Sequence, residues 1–206
     1  MIAALKTDAG NPENQDRGAI IHRESVLVLV VADGVGGRSG AAEAAIMAVE
    51  FVRKNAEGLK NAATCVALLH EMDHAIASDR DAGETTCTLA VVDGEHVFGA
   101  TVGDSAAWVI EHNGEYTNLA EGQPRKPFVG LDGARPFSFS YRIDKSQRLL
   151  LATDGLLKYA SPEQIADISC KDSLESSVSR LIELVRYPSG DLPDDITVIL
   201  AGSNQQ

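Results

Sequence analysis

Apolar residues in the first third of the chain follow a strand pattern and then two helical patterns. Residues 26–31 form a continuous run of Val and Leu, which is typical of a strand buried on both faces. A glycine-rich turn follows at 34–37, and apolar residues then recur at helical spacing over 41–55 and 61–78. We therefore expect a buried strand followed by two amphipathic helices.

Short strand patterns dominate the rest of the chain, with Asp93-Gly94 and Asn113-Gly114 as hairpin turn signals between them. Strands are predicted over 85–92, 95–102, 106–111, 115–118, 137–142, 148–153 and 196–201, with a strand-like segment at 18–21. A further helix is predicted to begin at a capping box formed by residues 172–175. Because helices and strands are grouped rather than alternating, we predict an α+β fold in which two sheets pack face to face with helices outside.

Length and composition predict one globular domain spanning residues 1–206. No apolar run approaches the roughly 18 residues needed to cross a bilayer, and the first eight residues lack the apolar segment of a signal peptide. Three separated cysteines, Cys65, Cys87 and Cys170, form neither a zinc-binding pattern nor a disulfide framework. We therefore expect a cytoplasmic protein.

The formal net charge is −12, from 30 acidic and 18 basic residues. Such a surface repels phosphate backbones and anionic lipids, so neither nucleic acid nor a membrane is an expected partner. The acidic excess has two interpretations. It either promotes solubility, which is the commoner case, or includes carboxylates that converge on divalent cations.

Aspartates recur where the apolar strand patterns begin or end. Asp33, Asp104 and Asp154 follow apolar runs and precede Gly or Ser, whereas Asp16 and the pair Asp194-Asp195 precede strand patterns. Aspartate is depleted within strands. Turn chemistry explains any one of these residues, but their recurrence in one context favours a shared site.

Converging carboxylates would require cations, because several negative groups in one pocket cannot all stay ionised without positive charge. Oxygen ligands select Mg²⁺ or Mn²⁺ rather than zinc. Gly34, directly after Asp33, leaves its own carbonyl accessible to a metal. Two such ions sharing one water would generate a hydroxide suited to phosphoryl transfer.

The ordered set of motifs resembles that of the metal-dependent serine/threonine phosphatases of the PPM, or protein phosphatase 2C, type. The motifs are Asn14-Gln15-Asp16, Asp33-Gly34-Val35-Gly36-Gly37, residues 83–88, Gly103-Asp104-Ser105, residues 151–156 and Asp194-Asp195-Ile196-Thr197. The resemblance extends over nearly the whole chain. It implies an αββα sandwich of two mainly antiparallel sheets flanked by helices, with a metal site at one end.

The same resemblance implies Mn²⁺ or Mg²⁺ as cofactors, two ions with a possible third. The implied metal ligands are Asp16, Asp33, Gly34, Asp104, Asp154 and Asp194. Asp33 is expected to bridge the two ions, and Asp16 resembles the acid that binds or orients metal-bound water. Asp104 matches the position of the third, weaker ion. The implied catalytic residues are Asp16, Asp33 and Asp154.

The implied activity is hydrolysis of phosphoserine and phosphothreonine by direct attack of a metal-bridging hydroxide. The expected partner is a phosphoprotein, either a target or the autophosphorylated form of a serine/threonine kinase. A catalytically weak or inactive relative that acts as a regulatory binding module is the alternative, and a small-molecule phosphatase is a third hypothesis.

Two departures from the family pattern concern the substrate. Asn11 stands where many members carry an arginine that grips the phosphate, and Arg17 or Arg38 is a candidate replacement. For Arg38, an exposed arginine near a helix start is an equally good interpretation. The flap subdomain of the family is expected to be reduced to a loop over 119–135, because glycines and prolines interrupt that stretch.

Two other patterns imitate known sites. Residues 70–74 satisfy the HExxH pattern of zinc proteases, but His70 and His74 fall on the helix face opposite the apolar stripe, which favours solvated histidines. The glycine-rich turn at 34–40 imitates a dinucleotide-binding loop, but Asp33 would place negative charge beside a pyrophosphate.

Overall fold

A computed structural model describes residues 1–36 and 39–203, where two five-stranded antiparallel sheets pack face to face between outer helices. This architecture confirms the predicted α+β class and the αββα sandwich.

Both sheets combine strands that are distant in the sequence. In order across the first sheet, the strands are β1 (Ile2–Asp8), β10 (Ile196–Gly202), β9 (Arg148–Ala152), β6 (Ala106–Ile110) and β7 (Tyr116–Asn118). In order across the second sheet, they are β2 (Asp16–Arg23), β3 (Val26–Asp33), β4 (Cys87–Asp93), β5 (His96–Val102) and β8 (Phe137–Arg142). The helices are α1 (Ala41–Asn55), α2 (Ala62–Ala77), α3 (Asp154–Leu157), α4 (Pro162–Lys171) and α5 (Leu174–Val185), with a 3₁₀ turn at Ala56–Gly58.

Strand β3 shows why its sequence is apolar without alternation. Its odd-numbered residues from Leu27 to Val31 pack against the first sheet. Its even-numbered residues from Val28 to Ala32 pack against α1 and α2. Successive side chains of a strand point to opposite faces, so a strand between two apolar layers needs apolar residues at both sets of positions.

Three apolar layers hold the sandwich together. Helices α1 and α2 pack on the second sheet around residues such as Leu69. The two sheets meet around Leu151, and helices α4 and α5 pack on the first sheet around Leu181. All three of these side chains are fully buried.

The structure differs from the sequence expectations mainly at short or partly exposed elements. Strand β1, helix α3 and helix α4 have no counterpart among the predicted elements. The predicted capping box is wrong by one residue, because Ser173, not Asp172, is the N-cap of α5 and accepts a hydrogen bond from the amide of Ser176. Across the described ranges, no helix is long and apolar enough to span a membrane.

The loop of residues 119–136 contains no helix, which confirms the expected reduction of the flap. Its far end is tied to α2 by Asp73, whose buried carboxylate accepts hydrogen bonds from four loop amides. These amides belong to Gly130 (2.7 Å), Leu131 (3.1 Å), Asp132 (3.2 Å) and Ala134 (2.8 Å). Asp73 therefore organises the loop.

The HExxH stretch of α2 has no zinc-site geometry. His70 and His74 are exposed, as the helical pattern predicts. The Nδ1 atom of His74 lies 3.2 Å from a carboxylate oxygen of Asp132, in the same loop that Asp73 anchors. The buried acid of this stretch is Asp73, which binds the loop amides, so the stretch anchors the loop.

We predict that Asp73→Ala lowers the free energy of unfolding by about 2–4 kcal/mol, because four buried or partly buried amides lose their acceptor. Urea unfolding measures this change. Glu71→Ala, on the exposed face of the same helix, is the control and should stay within about 0.5 kcal/mol of wild type. Equal effects of the two substitutions would show that Asp73 does not anchor the loop.

Candidate active site

A pocket of about 280 Å³ lies at the end of the sandwich where β3 and β9 finish and β2 and β10 begin. Antiparallel pairing brings these strand ends to one edge. The pocket is lined by Asn11, Gln15, Asp33, Gly34, Val35, Gly36, Thr86, Asp104, Arg125, Phe128, Asp154, Lys158, Asp194 and Asp195.

Asp16 and Asp33 are direct register partners on β2 and β3. Asp16 is only 1% exposed. Its Oδ2 accepts a hydrogen bond of 2.6 Å from the hydroxyl of Thr153, whereas its buried Oδ1 has no hydrogen-bond partner within the described residues. Burial is the main cause that raises the pKa of Asp16 to about 7, although the Thr153 hydrogen bond opposes it.

Asp33 lies at the centre of the negative charge. Burial, followed by the charges of Asp16, Asp154, Asp194 and Asp104, raises the pKa of Asp33 to about 9. The four neighbours that act on Asp33 are the four other acids that the sequence pattern singled out for the site. The structure therefore brings all five predicted carboxylates into one electrostatic cluster.

The backbone around Asp33 is held on both sides. The amide of Thr86 donates to the Asp33 carbonyl at 2.8 Å, and the Thr86 hydroxyl accepts from the Asp33 amide at 3.0 Å. A Cβ atom at Gly34 would collide with the carbonyl oxygen of Ala41. Glycine is therefore required at position 34 for packing against the first turn of α1, a reason independent of any metal.

Asp194 and Asp195 are adjacent in the sequence but have different roles in the structure. Buried Asp195 accepts hydrogen bonds from the amides of Gly10 (2.8 Å), Asn11 (3.0 Å) and Gln15 (2.8 Å), which fixes the loop before β2. Asp194 is half-buried and lines the pocket. The sequence pattern identified the pair but not the anchoring role of Asp195.

Among the described residues, two basic side chains reach the acidic pocket, and the sequence pattern missed both. Lys158 Nζ lies 2.7 Å from Asp154 Oδ2 and 3.4 Å from Asp194 Oδ2. Arg125 Nε lies 2.6 Å from Asp104 Oδ2. Lys158 follows Asp154 by four residues, a helical spacing visible in the sequence. No local pattern could have placed Arg125, because its loop is positioned by contacts with α2 and Thr85.

Of the two arginines predicted as replacements for a phosphate-binding arginine, the structure describes only Arg17. The guanidinium of Arg17 donates to the carbonyls of Asn14 and Asp16, both at 2.7 Å, and Arg17 does not line the pocket. Arg38 lies outside the described residues. Asn11 lines the pocket and carries no charge there.

The donor set fits a hard divalent cation. Every predicted side-chain ligand is a carboxylate, and Asp16 Oδ1 is a buried oxygen without a partner in the described part of the chain. Within residues 1–36 and 39–203, no group of three His, Cys, Asp or Glu side chains has its ligand atoms close enough together to hold a metal ion as they stand. Three of the acids point instead at Lys158 or Arg125.

Comparison with known proteins identifies the class. The family described as protein phosphatase 2C matches residues 7–192, so the chain belongs to this family. Protein phosphatase PhpP of Streptococcus pneumoniae is 26% identical, over 100% of this chain and 99% of its own length. The family resemblance inferred from the motifs is thereby confirmed.

Solved structures share the fold. The serine/threonine phosphatase of S. agalactiae superposes with a TM-score of 0.84 at 22% identity, covering 98% of this chain and 99% of its own. The catalytic domain of the serine/threonine phosphatase PstP, in a complex with two manganese ions, gives a TM-score of 0.79 at 23% identity and covers 97% of this chain and 96% of its own.

We predict that the metal-free protein becomes less stable as pH rises from about 4 to about 9. The folded-state pKa of Asp33, about 9, lies above the ordinary value of 3.8. The folded protein therefore retains a proton that the unfolded chain has lost, and this difference in proton binding disfavours folding as pH increases. Unfolding in EDTA at several pH values measures the slope.

Asp33→Asn should flatten this slope and stabilise the metal-free protein at pH 8 by at least about 1.4 kcal/mol, the equivalent of one pKa unit. Asp93→Asn is the matched control, because Asp93 is an exposed aspartate that also ends a strand and precedes glycine. Asp16, whose pKa is raised to about 7, also contributes below that pH, so the decisive range is from about pH 7 to about pH 9. An undiminished slope over that range in Asp33→Asn would mean that Asp33 does not carry the excess charge.

Proposed function

We propose that residues 1–206 form one metal-dependent phosphatase domain that hydrolyses phosphoserine and phosphothreonine in proteins. The observation that carries this proposal is the position of Asp33, half-buried among four other carboxylates at one end of the sandwich. Such an arrangement is unfavourable without cations and has no evident structural purpose. Membership of the protein phosphatase 2C family supports the same conclusion.

The candidate metal ligands are Asp16, Asp33, the Gly34 carbonyl, Asp104, Asp154 and Asp194. We propose Mn²⁺ or Mg²⁺ as the ions, two in number, with a third near Asp104. Bound there, divalent ions supply Lewis-acid activation of water and neutralise the charge of the phosphate.

The protein itself would position and shape the site. The hydroxyl of Thr153 holds Asp16 Oδ2, which leaves Asp16 Oδ1 free to act as an acceptor for a metal or for water. Asp195 fixes the loop that carries Asn11 and Gln15 into the pocket wall. These contacts fix Asp16 and the pocket wall before substrate arrives, and preorganisation of this kind lowers the barrier to reaction.

The substrate we propose is a phosphoprotein, either a target or the autophosphorylated form of a serine/threonine kinase. Loop 119–136 places no helix over the pocket. An open pocket accepts a phosphorylated side chain on a folded protein. We therefore expect selectivity among phosphoproteins to come from surfaces outside the pocket.

We predict that Asp33→Asn and Asp154→Asn each lower kcat/KM by about a hundredfold or more with saturating Mn²⁺, because each removes a charge that would hold an ion. The assay uses a phosphothreonine peptide and p-nitrophenyl phosphate. Asp93→Asn is again the control and should retain full activity.

The same assay separates the alternatives. Cleavage of p-nitrophenyl phosphate without cleavage of the peptide would favour a small-molecule phosphatase. If neither compound is cleaved while the folded protein still binds a phosphoprotein, the chain is a regulatory binding module and the proposed activity is wrong.

We further propose that Arg125, rather than Arg17, contacts the substrate phosphate. Arg125 lines the pocket and its side chain is 66% exposed, whereas the guanidinium of Arg17 is bound to two backbone carbonyls. Arg125→Met should raise KM for the phosphopeptide by about tenfold or more, the usual effect of losing a charge-assisted hydrogen bond, with a smaller change in kcat.

Arg135→Met is the control for this substitution, because Arg135 is exposed in the same loop but does not line the pocket. Arg17→Met should also leave KM near the wild-type value if it folds normally. An unchanged KM in Arg125→Met would remove Arg125 from the phosphate site.

A further inference from the structure

Lys158 occupies a position that none of the roles above explains. Its ammonium lies between two pocket carboxylates, 2.7 Å from Asp154 Oδ2 and 3.4 Å from Asp194 Oδ2. Its side chain is 44% exposed, whereas those of Asp154 and Asp194 are 11% and 33% exposed. The lysine therefore reaches from the pocket rim into the acidic interior.

The fold fixes this position through α3. The amide of Lys158 donates to the Asp154 carbonyl at 2.9 Å, which closes the helical turn and places the two side chains on one face. A Cβ at Gly155 would collide with the Asp195 carbonyl, so the turn packs tightly against the chain that carries Asp194. One short helix thus delivers an acid and a cation to the same side of the pocket.

The charge on Lys158 acts on only one half of the cluster. Within the described residues, no lysine or arginine forms an ion pair with Asp16 or Asp33. Asp154 and Asp194 share Lys158. An ammonium and a divalent ion need the same carboxylate oxygens, and two cations that close together repel each other.

We propose that Lys158 is a built-in counter-ion that stabilises the metal-free pocket and must withdraw before a divalent ion binds between Asp154 and Asp194. This inference rests on the proposed function, because it assumes that the pocket binds divalent ions. The long, half-exposed side chain can swing into solvent without disturbing the core. Lys158 thereby weakens the binding of the ion on the Asp154 and Asp194 side.

The test compares Lys158→Met and Lys158→Arg with wild type in two measurements. The first is titration with Mn²⁺, followed by the electron paramagnetic resonance signal of the free ion. The second is the melting temperature in EDTA. Lys158→Met should tighten one Mn²⁺ binding step by about tenfold, because a repelling charge is removed, and should lower the melting temperature of the metal-free protein. Lys158→Arg should stay near wild type in both.

Lys171→Met is the matched control, since Lys171 forms an ion pair with Asp167 at the same four-residue spacing, on α4 and away from the pocket. It should change neither measurement. If Lys158→Met does not fold, Lys158→Gln takes its place, because it removes the charge with a shorter polar side chain.

The outcomes separate this inference from the proposed function. If the wild-type protein binds no Mn²⁺, the proposed metal site itself is wrong. If wild type binds Mn²⁺ but Lys158→Met binds it with equal or weaker affinity, the counter-ion role of Lys158 is overturned and the metal site stands.

Discussion

Repulsion among the carboxylates at one end of the sandwich is the constraint on which the site depends. Asp33 meets four other negative side chains, and its partial burial strengthens their effect because less water is available to screen them. The strands hold these acids together through their backbone ladders, which do not depend on side-chain charge. The repulsion among these acids opposes folding, and the apolar layers elsewhere in the sandwich compensate for it. Charged functional sites generally depend on such compensation.

The clearest of the elements predicted from the sequence are those whose pattern is set by burial. Strand β3 and helices α1 and α2 lie between or against apolar layers, so their apolar residues follow a recognisable spacing. Strand β1 lies at a sheet edge and has mostly half-exposed residues, which leaves little alternation to detect. Helix α4 did have a local signal, because Ser161, Pro162 and Gln164 form a capping box with proline in the first turn.

The acidic half of the site could be predicted because each acid stands at a strand end, and antiparallel pairing gathers strand ends. The two basic side chains of the site could not be predicted in this way. Arg125 reaches the pocket only because a structureless loop is bent toward it, and Lys158 was recognisable only once α3 was known to follow Asp154. The division between Asp194 and Asp195 likewise depends on which side chain meets three backbone amides.

Loop 119–136 connects the pocket to a helix on the far side of the second sheet. Asp73 on α2 binds four of its amides, and Thr85 pairs with Val129 through two hydrogen bonds of 3.0 Å. The backbone of Asp33 bonds to Thr86, the next residue, and the Thr85 hydroxyl donates to the Asp33 carbonyl at 2.9 Å. Thr85 and Thr86 therefore position both Asp33 and the loop that carries Arg125. For this reason a short loop can hold its position without a folded subdomain.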